Sequence, residues 1–128
     1  MRRIILLLLV LGAFTQGVTQ GQGELPIASQ VNDMLRAGKA DDAIKAVSAA
    51  LSVTPEDMAL KVLLGQAYYQ KTDYAKTIET LTPVARPTTP EANHYRSVVQ
   101  MLAMSHYLLG HLADSIPYLE QLTIWTME

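Results

Sequence analysis

The sequence predicts an all-α chain, about three helical hairpins set side by side behind an N-terminal leader. Three observations carry that prediction. Apolar residues recur three and four apart through most of the chain after Pro26, and no run alternates with the period of two that marks a half-buried strand. Prolines, glycines and acids fall between these stripes, where helices start and stop. The stretch Leu64-Gly65-Gln66-Ala67-Tyr68-Tyr69, followed by Tyr74, Ile78 and Leu81, has weaker copies on both sides of it.

The 128 residues suffice for one domain or a short repeat array. Residues 1–23 read as a leader and linker. Arg2 and Arg3 precede an apolar run from Ile4 to Phe14, and the small residues Thr15 and Gly17 follow, which is the order of a secretory signal peptide. The run is shorter than the roughly 20 residues a spanning helix needs. Gln16 to Gly23, rich in glycine and glutamine, reads as a flexible linker. With no cysteine in the chain, disulfides, thiolate metal sites and lipidation at a cysteine are all excluded. All twelve acids lie at or after Glu24, so loss of Arg2 and Arg3 leaves eight basic residues and a net charge of −4. That balance offers no basic footprint for nucleic acid. The chain is therefore expected to be exported, periplasmic or secreted, and to meet the membrane only in transit.

Residues 24–128 form the repeat domain, in units of about 24–57, 58–91 and 92–128. Pro26 suits the first position of a helix that carries Ile27, Val31, Met34 and Leu35 and stops at Gly38. Asp41 and Asp42 favour the first turn of the next helix, striped by Ile44, Val47 and Leu51. Thr54-Pro55-Glu56-Asp57 reads as a helix start, with a capping hydroxyl, a proline at the first position and two acids. That helix runs through Leu60, Leu63, Leu64 and Tyr68 to about Lys71. Asp73 caps the next, with Ile78, Leu81 and Val84. Ala85 to Thr89 is a loop, and Thr89-Pro90-Glu91 opens a longer helix through Val98, Leu102 and Ser105 to Gly110. The last helix holds Ile116, Leu119, Leu122 and Trp125, and Pro117 should kink it or delay its start to about Asp114.

Ala43-Ile44 recurs as Thr77-Ile78 at an offset of 34, which also lays Gly38 on Thr72 and Met34 on Tyr68. Leu64-Gly65 recurs as Leu102-Ala103 at 38, which lays Thr72 on Gly110 and Leu81 on Leu119. Three of the four extra residues fall between Pro90 and Leu102, almost one more turn on the first helix of the third hairpin. The middle unit offers Lys61, Leu64, Gly65, Tyr68, Thr77, Leu81 and Thr89, with Pro90 one place on. At these offsets it resembles the tetratricopeptide repeat. The first unit matches through Ile27, Met34, Ala43, Val47 and Pro55, with Gln30 and Val31 as departures. The third offers Val99, Leu102, Ala103, His106, Ser115, Leu119 and Met127. Small residues at Ala43, Gly65, Thr77, Ala103 and Ser115 mark places where helix backbones approach closely.

The resemblance implies a right-handed α-solenoid whose first helices line a concave groove. Asn32, Leu35, Arg36, Gln66, Tyr69, Gln70, Gln100, Met104 and Tyr107 are the groove residues it implies. Tyrosines and amides among apolar neighbours suit an extended peptide or a partner helix. Only Asn32 and Arg36 match the basic clamp that some members use for acidic tails. The expected role is a scaffold or adaptor for protein partners. The alternative is the non-catalytic N-terminal portion of a larger exported enzyme such as a peptidase.

No motif points to catalysis, a cofactor or a metal. His94 and His106 lie about 18 Å apart on a continuous helix, too far to share an ion. His106 takes the place of a tyrosine packed between the two helices of its unit, where a core histidine with a hydrogen-bond partner is expected. His111 belongs to the turn, facing solvent. Ser105, His106 and Asp114 are the letters of a triad without a nucleophile elbow. Finally, Leu122-Thr123-Ile124-Trp125-Thr126-Met127-Glu128 does not read as a polar cap. Either another unit follows, which is the expectation, or that face docks on a partner or on a second copy.

Overall fold

The computed structural model describes residues 26–85 and 93–127; the leader and linker, the loop residues from Arg86 on, the Thr89-Pro90-Glu91 start and Glu128 lie outside them. The described residues form six α-helices and no strand: α1 Ile27–Arg36, α2 Ala40–Val53, α3 Met58–Gln70, α4 Tyr74–Leu81, α5 Asn93–Leu108 and α6 Leu112–Met127. Each packs against the next in sequence, and α1 also meets α3, as α3 meets α5.

The turns inside the three hairpins are copies of one another. Gly38, Thr72 and Gly110 all have positive φ, at 75°, 61° and 80°, and hold the same place after α1, α3 and α5. In each, that residue's amide donates to the carbonyl of the last-but-one helix residue (Leu35, Tyr69, Tyr107). The next amide bonds the carbonyl before it (Met34, Tyr68, His106), over 2.8 to 3.1 Å. These pairs are Schellman caps, which satisfy carbonyls the helix leaves free. Glycine enters the left-handed region without penalty, whereas Thr72 does so against a β-branched side chain. The aligned triplet gives the three hairpins one turn geometry.

Two apolar cores follow from the hairpins. Val31, Ala43, Val47, Leu60, Leu63 and Ala67 form the first, and Val62, Leu81, Val84, Val98, Met101 and Leu102 the second. Helix α3 contributes to both. Its apolar residues accordingly run almost all round it, as expected of a helix buried on two sides. Gly65 sits where α4 crosses, since a Cβ there would collide with the Cγ and Cδ atoms of Leu81, which is fully buried. Ala43, Thr77 and Ser115, the equivalent small residues of α2, α4 and α6, are buried as well.

Some boundaries move. Pro26 is the residue before α1 and not its first, and its carbonyl takes the amide of Gln30 at 3.1 Å. Helix α3 begins at Met58, and its cap is Asp57, whose carboxylate accepts from the amide of Leu60 at 3.1 Å. The Thr54 hydroxyl instead donates to the carbonyl of Ala50 at the end of α2. A carboxylate and a hydroxyl competed for the cap, and the carboxylate prevailed. Asp73 does cap α4, accepting from the amide of Lys76 at 3.2 Å. Helix α6 starts at Leu112, without the delay expected of Pro117, and runs through that proline. Pro117 and Ala113, whose carbonyl loses its donor, are both exposed, so water can serve it. The extra turn of the third hairpin is present: α5 has 16 residues where α3 has 13.

Candidate functional site

The first helices of the hairpins, α1, α3 and α5, are neighbours, and between α1 and α3 their side chains leave an open cavity of about 350 Å³. Ala28 and Asn32 line it from α1, and Ala59, Val62, Leu63 and Gln66 from α3. The cavity exists because Ala28 and Ala59 are small where the two helices face each other. Val62 and Leu63 make an apolar floor, and the amides of Asn32 and Gln66 sit at its edge, each with a donor and an acceptor. Next to it, Gln70 ties the two helices together by donating to the backbone carbonyl of Leu35 at 3.1 Å.

Of the residues expected to line a groove, Asn32 and Gln66 thus meet at the cavity and Gln70 lies next to it, while the side chain of Leu35 packs against the first core. Arg36 is exposed beside them, 3.8 Å from Asp33. Tyr69 is half-buried and turned to the second core, meeting the ring of Tyr74 edge-on with centroids 5.7 Å apart. On α5, Gln100 is exposed, Met104 half-buried and Tyr107 exposed; none of the three lines the cavity. Ala28, Ala59 and Val62 carry no signal in the sequence, and Leu63 reads there only as part of an apolar stripe. Small residues make holes by what they lack, and no periodicity rule looks for that.

One exposed pair shifts the titration of both its members. Lys71, at the end of α3, donates to the carboxylate of Asp41 at the start of α2. That hydrogen bond and the charge behind it lower the pKa of Asp41 below its ordinary value and raise that of Lys71. Both groups are open to water, so the pair ties two elements without adding much to stability.

The α5–α6 turn gathers the other polar residues. His106 is half-buried, and Tyr118 stacks on it with ring planes 12° apart and centroids 5.8 Å apart. Its buried Nδ1 has no hydrogen-bond partner among the described residues, contrary to the partnered core histidine expected. His111 is exposed, its ring 5.9 Å from that of His106. The Oγ of Ser105 is also buried without a partner, so serine and histidine do not form the bond a nucleophile needs with its base. The side chain of His94 lies outside the described ones. Among the described residues, no helix is long and apolar enough to cross a membrane.

In comparisons with models of known families, with curated proteins and with solved structures, nothing matches this chain.

Proposed function

We propose that this chain is an exported tetratricopeptide-like solenoid that holds a protein partner, as an extended peptide or a helix, along the face shared by α1, α3 and α5. The observation that carries the reading is the α1–α3 cavity, an apolar floor with two amides at its rim. An apolar side chain of a peptide fits the floor, while the amides pair with its backbone. The solenoid arrangement is supported by contacts between alternate helices and by the three identical caps.

Selection of peptides from a random library, followed by chemical-shift mapping, tests this. Selected peptides should perturb Asn32, Val62 and Gln66, and Ala59→Trp, which fills the cavity, should weaken them at least tenfold. Shifts confined to α2 and α4, or affinity unchanged in Ala59→Trp, would sink the assignment. Export rests on the leader pattern of residues 1–23, and the intact mass of the endogenous protein checks it. A species about 2 kDa below the full 14.1 kDa is expected from cleavage near Gly17 to Gly23. A far heavier species would favour the alternative, a non-catalytic portion of a larger exported enzyme.

A further inference from the structure

We propose that His106, His111 and Asp114 form a three-ligand site for a zinc-class divalent cation at the α5–α6 turn. One ligand atom from each residue lies within 4.8 Å of the other two. Atoms bound to one zinc ion at about 2.0–2.1 Å lie at most about 4.2 Å apart. The remaining gap is closed by rotating His111 and Asp114, which are both exposed.

The backbone behind the ligands is already fixed. The amide of His111 bonds the carbonyl of His106 at 2.8 Å, and the amide of Ser115 bonds that of His111 at 3.1 Å. The cap of α5 therefore sets the spacing of the two imidazoles, and the first turn of α6 places the carboxylate beside them. Tyr118 holds the plane of the His106 ring. No protein contact among the described residues competes for the Nδ1 of His106. Two nitrogens and one oxygen favour zinc, copper or nickel over calcium or magnesium, which take oxygen ligands. Three protein ligands leave a coordination position for water. A bound ion would pin α5 to α6 at the turn that joins them, opposite the open end of the hairpin, where Arg96 donates to the carbonyl of Trp125 at 2.9 Å.

The sequence gives little sign of this site. His106, His111 and Asp114 are five and three residues apart, which matches neither one helical face nor a familiar ligand spacing. Only the tight cap of α5 brings them together.

The test is calorimetric titration of the untagged chain with zinc chloride in metal-free buffer, with calcium chloride as the comparison. One zinc per chain is expected, with no saturable heat from calcium. His111→Gln and Asp114→Asn should each weaken zinc at least tenfold, and His94→Gln should leave it unchanged. Because both tested residues are exposed, melting curves in chelator should match the parent chain and show that the variants are folded. Cobalt(II) in place of zinc should give visible absorption that is lost in His111→Gln. Absence of saturable zinc binding overturns the proposal, and so does binding that survives both substitutions.

Discussion

The two ends of the helical array are built differently. In α3, Leu60, Leu63 and Ala67 pack on the preceding hairpin; 34 residues earlier, Pro26 just before α1 and Ser29 and Asp33 within it hold those places, all exposed. At the other end the register gives the opposite result. Val47 of α2 and Leu81 of α4 are fully buried, yet Leu119, their counterpart on α6, is 42% exposed, beside Ile116 and Leu112, both more than half exposed. The first end presents a solvated face, and the last presents the residue types that the inner hairpins bury. Position in a repeat specifies a side chain's type, and the neighbour that covers it decides what that side chain contributes.

The largest expected effect exploits that contrast. Leu81→Ala should cost about 3 kcal/mol in denaturant unfolding, as a fully enclosed leucine lost to a cavity does. Leu119→Ala at dilute concentration should cost less than about 1 kcal/mol, since water already reaches it. Equal losses would mean that α6 is covered in solution. Gly65→Ala should cost about 2 kcal/mol, because Leu81 is enclosed and cannot yield freely to the new methyl.

The turns provide a finer comparison. Thr72→Gly should raise stability by about 1 kcal/mol by removing the strain of a β-branched residue in the left-handed region, whereas Gly38→Ala and Gly110→Ala should lower it by a similar amount. Open space surrounds both glycines, so only the backbone angle is at stake. If Thr72→Gly proves destabilising, the threonine holds a contact that outweighs its strain.

The smallest effect concerns the Asp41–Lys71 pair. The pKa of Asp41 is lowered from 3.8, so its contribution is present above that value and fades as pH falls through the lower folded value. The pKa of Lys71 is raised from 10.5, so its share is complete below that value and fades as pH rises through the higher folded value. The melting-temperature difference between the parent chain and Asp41→Asn should therefore be small at neutral pH and vanish in strong acid. A difference that persists there would mean that the substitution acts through packing.

How much was legible depends on the kind of feature. The all-helical class and the alignment of Gly38, Thr72 and Gly110 were readable because a period leaves repeated residues behind. The start of α3 was not, because Thr54 and Asp57 are both good caps three residues apart, and local preference does not rank them. The cavity escaped because Ala28 and Ala59 signal nothing in one dimension. The approach of His106, His111 and Asp114 depends on the path of a single turn.

Helix α3 belongs to both hydrophobic cores, and this bears on how the chain comes apart. A row of hairpins that touch only their neighbours can melt from either end, one unit at a time. Here Leu60 and Leu63 point into one core and Val62 into the other, so loosening α3 would expose both at once. Unfolding should then be a single transition although the helices pack in a row of hairpins, with the amides of α3 exchanging with solvent most slowly and those of α1 and α6 fraying first. A partner seated between α1 and α3 would brace the helix on which both cores depend, and its binding would be felt as far away as Val98 and Leu102.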